Sequence, residues 1–345
     1  MKDILERLTN GNNLSVHEAD ALLVSLTEAD QSPAMAGAIL TALKIKGETP
    51  EEVRGFAQAM RRLAHRPHLP PDLRAVDIVG TGGDGSGSLN LSTGAALLTA
   101  AAGVPVVKHG NRSITSKCGS ADVLSALGAE PATPDRVSEM FGRSNFAFLF
   151  APFFHPAMKH LAPIRQALGI RTVFNILGPL TNPAEPPFYL IGAFSADVAR
   201  IMADALSGLP IQRAFVVHGA EGWDEPTPVG PFHLWDVTPG TVRRETRDPR
   251  DIGLNECASS DLAGGEAHQN ASAIRSVFDG EKSPHRDALV LAAGLALEVT
   301  GVVATAGDGV RTASAVIDDG RAARWLAGLT SQKGVPAAAG RASSV

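Results

Sequence analysis

From residue 75 onward the chain alternates short apolar runs with helix-like segments, and this alternation limits its fold more than any other feature. The runs are AVDIV (75–79), VPVV (104–107), FAFLF (146–150), YLIGAF (189–194) and RAFVV (213–217). Stretches such as TGAALLTAAAG and SADVARIMADALSGL lie between them. Continuous apolar runs suit strands buried on both faces, and parallel neighbours need long, usually helical crossovers. The spacing therefore predicts a mainly parallel sheet covered by helices. PFHLWDV and TVRRETR flank Thr238-Pro239-Gly240 and predict a late hairpin.

The first seventy residues read differently, as helix throughout. Ser15-x-x-Glu18 forms a capping box ahead of VHEADALLVSL, and Thr49-Pro50-Glu51-Glu52 marks a second helix start, with Pro at the first helical position. The Pro-rich connector RPHLPPDLR then separates the two patterns. The expected fold class is α/β, a small all-helical domain plus a larger domain with a mainly parallel sheet flanked by helices. The expected boundaries are 1–70 for the helical domain and 74–335 for the α/β domain, with 336–345 as a frayed tail.

Formal net charge is −5, which argues against broad electrostatic binding to nucleic acid or anionic membrane. Any anion site must then be local. No run of eighteen apolar residues suggests a membrane span, and MKDILERLTN lacks the apolar core of a signal peptide. Cys118 and Cys257 form no metal pattern or disulfide framework. A soluble, cytoplasmic protein is expected.

Residues 80–93, GTGGDGSGSLNLST, hold five glycines within eight positions. Gly80-x-Gly82-x-x-Gly85 matches the dinucleotide fingerprint in form only. That fingerprint wants an acid about twenty residues on, whereas the next strand ends in Lys108-His109-Gly110. A Walker A loop fails too, because Ser-Gly follows Gly85. Ser88, Asn90, Ser92 and Thr93 crowd the helix start that follows, where free N–H groups can hold an anion. Asp84 would repel a bare diphosphate. It is tolerable where a cation is shared or where it meets hydroxyls, so the loop suggests a sugar diphosphate with Mg²⁺.

KHGNRSITSKCGS (108–120) follows the next strand and mixes Lys108, His109, Arg112 and Lys117 with small polar residues. Loops at the carboxyl ends of strands are where open α/β sheets bind ligands. After RAFVVHG, Asp224-Glu225 offers adjacent carboxylates whose mutual repulsion a cation would relieve. In HPAMKHLAPIRQALGIRTVFNILGPLTNP either Arg165 or Arg171 can fork onto a carboxylate, and spacing does not choose between them. His155 and His160 are not at the i, i+4 spacing of a helical metal pair.

GTGGDGSGSLNLST, KHGNRSITSKCGSADVLSALG, RQALGIRTVFNILGPLTNP and the later WDE, in that order, resemble the anthranilate phosphoribosyltransferases across residues 1–330. The resemblance implies a fold of the nucleoside phosphorylase/phosphoribosyltransferase type, with segments near 155–175 returning to the helical domain, and a homodimer formed through that domain. It implies transfer of the 5-phosphoribosyl group of 5-phosphoribosyl 1-diphosphate to the amino group of anthranilate, with release of diphosphate, in tryptophan biosynthesis.

On these positions the resemblance places the phosphoribosyl diphosphate against Gly80, Gly83, Asp84, Ser88, Asn90, Leu91, Ser92 and Thr93. Lys108, His109, Gly110, Asn111, Arg112, Ser113, Ile114, Thr115, Ser116 and Ser120 complete the cradle. Gly80, Asn111 and Arg165 would meet anthranilate, with Arg165 on its carboxylate. Two Mg²⁺ ions are implied, held by Ser92 and by Asp224 with Glu225. No general acid or base is assigned, since an aryl amine is already a neutral nucleophile. Cys118, Trp223 and Ala292 depart from the family pattern, which bears on local packing. The alternatives are a pyrimidine nucleoside phosphorylase, whose loop would read TGG-x-GDK, and a non-catalytic nucleic-acid-binding relative.

Overall fold

The computed structural model describes residues 1–112 and 118–330. Ser113, Ile114, Thr115 and Ser116 of the expected cradle, Lys117, and the tail at 336–345 lie outside the described residues.

Four helices open the chain: α1 (Lys2–Thr9), α2 (Val16–Thr27), α3 (Pro33–Lys46) and α4 (Pro50–Leu63). Both expected capping boxes are present. The Ser15 and Thr49 hydroxyls accept from the N–H groups of Glu18 and Glu52, whose carboxylates accept from the cap N–H groups in return. Glu52 is fully buried, and its other contacts explain why that is tolerable. It accepts from the Leu14 N–H at 2.9 Å and from Lys46 Nζ at 2.8 Å.

The sheet comprises β1 (Val76–Gly80), β2 (Val106–Gly110), β3 (Phe146–Phe150), β4 (Phe188–Gly192), β5 (Arg213–His218), β6 (Phe232–Thr238) and β7 (Thr241–Arg247), in the spatial order β3-β2-β1-β4-β5-β6-β7. The first five are parallel, and the hairpin β6–β7 adds antiparallel. Several expected bounds shift. β2 starts at Val106, beyond Pro105, which has no N–H to give the ladder but accepts from Val76 N–H. β4 ends at Gly192, two residues before the apolar run does. β7 closes one edge with Arg243, Arg244, Glu245 and Arg247, charges that discourage pairing with another strand.

The crossovers carry α5 (Leu91–Ala101), α6 (Ser120–Leu127), α7 (Val137–Ser144), the one-turn α8 (Ala151–Phe154), α9 (Leu161–Leu168), the one-turn α10 (Phe174–Leu177) and α11 (Ala196–Leu206). A 3₁₀ turn at Ser259–Leu262 precedes α12 (Ala267–Phe278), and α13 (Pro284–Val299), α14 (Ala306–Asp318) and α15 (Arg321–Thr330) follow. The period of two along the strands divides the core. Phe188, Leu190, Phe215 and Val217 face α5 and α12–α15, whereas Tyr189, Ile191, Ala214 and Val216 face α11 and the N-terminal helices. Leu161 and Val173 join the second of these clusters. Cys118, Trp223 and Ala292 are all buried in the first. Among the described residues no helix is long and apolar enough to cross a membrane.

Candidate active site

The strand order places a topological switch between β1 and β4. The chain leaves β1 for β2 on one side and leaves β4 for β5 on the other, so their following loops diverge and open a crevice. Gly80 and Gly192 are register partners at the two strand ends. Both positions lack room for a side chain. A Cβ on Gly192 would sit 1.6 Å from the Asp224 carbonyl oxygen, and one on Gly80 would sit 2.5 Å from Asp224 Oδ2. Glycine at two strand ends thus lets the turn after β5 lie directly over the switch point.

That turn is held by hydrogen bonds. The Asp224 carboxylate accepts from the Gly82 N–H and from Thr81 Oγ1 (3.3 Å), and the Asp224 N–H donates to Asp84 Oδ2 (3.3 Å). Asp84 also accepts from the N–H and hydroxyl of Ser86, at 3.0 and 2.9 Å, and Ser86 Oγ bonds Ser88 Oγ at 3.2 Å. Glu225 reaches the first turn of α5, where the Ser92 N–H donates to it at 3.1 Å. Burial, with Asp84 close by, pushes the Asp224 carboxyl up to about 7, and burial beside Asp224 pushes Glu225 up to about 8.

The donor set fits Mg²⁺. All the groups are hard oxygens. Among the described residues no three His, Cys, Asp or Glu side chains close around one point. Magnesium commonly takes one or two carboxylates and leaves its other positions to phosphate oxygens and water. The helix that begins here is prepared for an anion as well. Asn90 caps α5 without spending its side chain on the helix. Its amide instead donates to the Cys118 carbonyl (3.1 Å) and accepts from Asn270 Nδ2 (2.9 Å), which ties the loop to α12. Leu91 and Thr93 are buried, and among the described residues Thr93 Oγ1 has no hydrogen-bond partner.

The end of β2 is arranged otherwise. Lys108 is 1% exposed, and its Nζ donates to the Ile78 carbonyl within the sheet. Its charge faces Asp77 and Glu225, while burial pulls its pKa down. Asp77 is also buried. It accepts from the His109 N–H (3.2 Å) and from Asn182 Nδ2 (2.8 Å), and burial lifts it to about 6. The His109 ring donates Nδ1–H to the Gly178 carbonyl at 3.2 Å and lies 5.0 Å from the His155 ring. Burial lowers these imidazoles to about 3 and about 4. Gly110 gives way to Ser120, whose hydroxyl donates to the Asn111 carbonyl at 3.1 Å. Arg112 points outward and makes a long ion pair of 3.7 Å with Asp122.

The two arginines that spacing left open have separate surroundings. Arg165, in the last turn of α9, is half-buried with its guanidinium 5.0 Å over the Phe174 ring. Among the described residues it has no ion pair or hydrogen-bond partner, and burial lowers its pKa. Arg171 is exposed, donates to the Gly83 carbonyl and stacks 4.4 Å over Phe194. The structure therefore gathers Gly80, Asp84, Ser92, Asp224 and Glu225 directly, and links Lys108 to them from beneath. Thr81, Asp77, Asn182, Gly192 and Asn270 escaped the sequence reading. Only Gly192 had a signal, a glycine closing an apolar run.

Comparison with known proteins follows this geometry. A family model described as "Glycosyl transferase family, a/b domain" matches residues 72–323, and one described as "Glycosyl transferase family, helical bundle domain" matches residues 2–64. The chain is 45% identical over 330 residues to the anthranilate phosphoribosyltransferase of Desulforudis audaxviator, covering 95% of each chain. The crystal structure of anthranilate phosphoribosyltransferase from Thermus thermophilus superposes with a TM-score of 0.87 at 43% identity, over 95% of this chain and 99% of that one. The Saccharomyces cerevisiae enzyme in complex with PRPP and Mg gives a TM-score of 0.83 at 29% identity, over 92% of both chains.

Proposed function

The chain belongs to the anthranilate phosphoribosyltransferases, and from that membership we propose how its residues divide the work. It transfers the 5-phosphoribosyl group of 5-phosphoribosyl 1-diphosphate to the amino group of anthranilate, with release of diphosphate, in tryptophan biosynthesis. It uses magnesium, as the yeast relative does.

The observation that carries the residue assignment is the Asp224-Glu225 turn seated over Gly80 and Gly192, against the first turn of α5. The diphosphate lies along the 80–93 loop, with Ser88, Asn90 and the α5 N–H groups as donors. Ser92 would hold one magnesium ion, and Asp224 with Glu225 would hold a second. Bound magnesium screens the diphosphate charge and improves it as a leaving group. Glu225 keeps its place through the Ser92 N–H, and Lys108 balances its charge from below. Gly80 and Asn111 border anthranilate. Arg165, a desolvated cation with no ion pair among the described residues, receives its carboxylate. The neutral amine then attacks C1 as the C1–O bond to diphosphate breaks, and the proton that the new C–N bond makes acidic passes from nitrogen to solvent. No side chain serves as general acid or base. The chain's contribution is positioning and stabilisation of the departing charge.

Release of diphosphate that requires both anthranilate and Mg²⁺ tests the reaction, run beside thymidine phosphorolysis and a DNA mobility shift. Activity in either control without the first would sink the reading. Arg165→Ala should raise the KM for anthranilate about ten- to a hundredfold, the 1.5–3 kcal/mol of a charged hydrogen bond. It should leave the KM for phosphoribosyl diphosphate nearly unchanged. Equal losses for both substrates would make Arg165 structural.

The domain division into 1–70 and 74–335, with segments near 155–175 joined to the helical domain, is part of this reading. Shared burial of Leu161 with α1–α4 supports it. A homodimer is a further part. Leu5, Pro33, Ala38, Ile45, Ile164 and Leu168 line an apolar groove across α1, α3 and α9, with Ile45 82% exposed. Small residues along α3 allow close approach of a helix, and the occupant we assign is a second copy. Ile45→Glu should convert a sedimenting dimer to monomer. A wild-type chain that sediments as monomer would reject the assignment. Cytoplasmic placement rests on the sequence alone.

A further inference from the structure

Arg171 joins three segments that chemistry must use together. Its guanidinium donates to the carbonyl of Gly83, in the middle of the diphosphate loop. Its flat face lies 4.4 Å over Phe194, in the loop after β4, and the Phe194 N–H donates to Thr81 Oγ1 at 3.2 Å. Its own backbone follows α9 by way of Gly169, which takes a left-handed φ of 62°. α9 carries Arg165 only six residues earlier. The fit at Gly83 is close, since a Cβ there would stand 3.2 Å from the Arg171 guanidinium. Gly83 has a φ of +76°, and three neighbouring glycines are also left-handed; the acidic turn holds the loop at Gly82 and Asp84, and Arg171 holds it at Gly83.

We propose that Arg171 is a positioning residue that clasps the diphosphate loop to the segment bearing Arg165, so that each substrate site is ordered by occupation of the other. The inference rests on the assignment of those two sites above. A ligand that orders the loop has already met part of the cost of ordering the α9 segment, and the second ligand binds more tightly for it. By linkage the effect is reciprocal. Arg171 touches neither substrate in this account. Its fork and its stacked face act through Gly83 and Phe194, a pairing that lysine cannot reproduce.

Calorimetric titration of anthranilate, with and without Mg²⁺ and inorganic diphosphate, reads this coupling without turnover. In the wild-type chain, diphosphate should tighten anthranilate by about fivefold or more. In Arg171→Ala the two titrations should agree within about twofold, with anthranilate affinity alone and the melting temperature unchanged. Arg171→Lys should not restore the coupling, and Phe194→Leu should weaken it. An Arg171→Ala chain that still couples the ligands overturns the proposal. So does one that loses anthranilate affinity in the absence of diphosphate, or whose weakened diphosphate binding lysine rescues, since Arg171 would then be a direct ligand. Failure of the wild-type chain to bind anthranilate at all would instead overturn the site assignment beneath it.

Discussion

The acidic turn after β5 and the basic end of β2 flank the same crevice, yet they are built on opposite principles. Asp224 and Glu225 are crowded beside Asp84, and burial and repulsion push their carboxyls up. Lys108 donates to the Ile78 carbonyl and faces Asp77, and His109 donates Nδ1–H to the Gly178 carbonyl and its backbone N–H to Asp77, while among the described residues its Nε2 has no partner. Loop charges of similar prominence in the sequence therefore do different work. One set is held ready for ligand, and the other supports the floor beneath it.

The largest expected effect would break that contrast if it failed. Lys108→Met leaves Asp77 and Glu225 without their buried cation and should cost about 3–5 kcal/mol of unfolding free energy. Asp77→Asn should recover part of this loss. A chain that keeps its denaturant midpoint and loses only phosphoribosyl diphosphate binding would make Lys108 an ordinary cradle residue.

Changes in the acidic turn should act the other way round. Asp224→Asn with Glu225→Gln should lower turnover about a hundred- to a thousandfold at ordinary Mg²⁺, the scale of a lost charge-stabilising group. Excess Mg²⁺ should restore some of it. Thermal stability should hold or rise, because repulsion has been removed. A fall in both together would mean that the turn is structural.

The buried imidazoles sharpen the comparison through pH. His109 and His155 fold with lowered values near 3 and 4, so the unfolded chain binds their protons first, from about pH 6.5 downward. Their contribution is complete above that pH and declines toward the folded values, by about 2 kcal/mol per ring at pH 5. Asp77, lifted to about 6, opposes this trend. The informative measurement is thus the change in urea midpoint between pH 7 and pH 5, for wild type against His155→Gln. An identical change in both would remove the imidazoles from the account.

The smallest effect concerns the loop. Gly83→Ala forces a side chain into left-handed backbone, which costs about 1–2 kcal/mol. Calorimetry with phosphoribosyl diphosphate and Mg²⁺ should register a loss of about tenfold, beyond a fall of a few degrees in melting temperature from that strain. Unchanged affinity would separate this glycine from the diphosphate.

Much of this architecture was legible because it rests on local chemistry. FAFLF gave β3 to the residue, and both capping boxes could be read from four-residue patterns. Elements resting on distant partners could not be read. Nothing in AVDIV marks Asp77 as the acceptor for Asn182, 105 residues away. Lys108 stands at a strand end in the sequence, and only the fold shows its side chain turned beneath the loop, onto the Ile78 carbonyl. The one-turn helices at 151–154 and 174–177 lie in Pro- and Gly-broken sequence that carries no periodicity. Arg165 and Arg171 differ only in what the fold sets beside them, an unaccompanied Phe174 face or the Gly83 carbonyl.

The seating of Asp224 on Gly80 and Gly192 has a consequence for anyone redesigning this chain. The acid is indexed to the sheet by those two glycines and to the loop by Thr81, Gly82 and Asp84. A mutational library aimed at other aryl amine acceptors can therefore vary the α9 segment without touching the partners of the acidic turn, and should leave residues 81–84 as they are. Extended to the strand ends, such a library should return empty at two codons, 80 and 192, where even a methyl group would occupy the space that Asp224 fills.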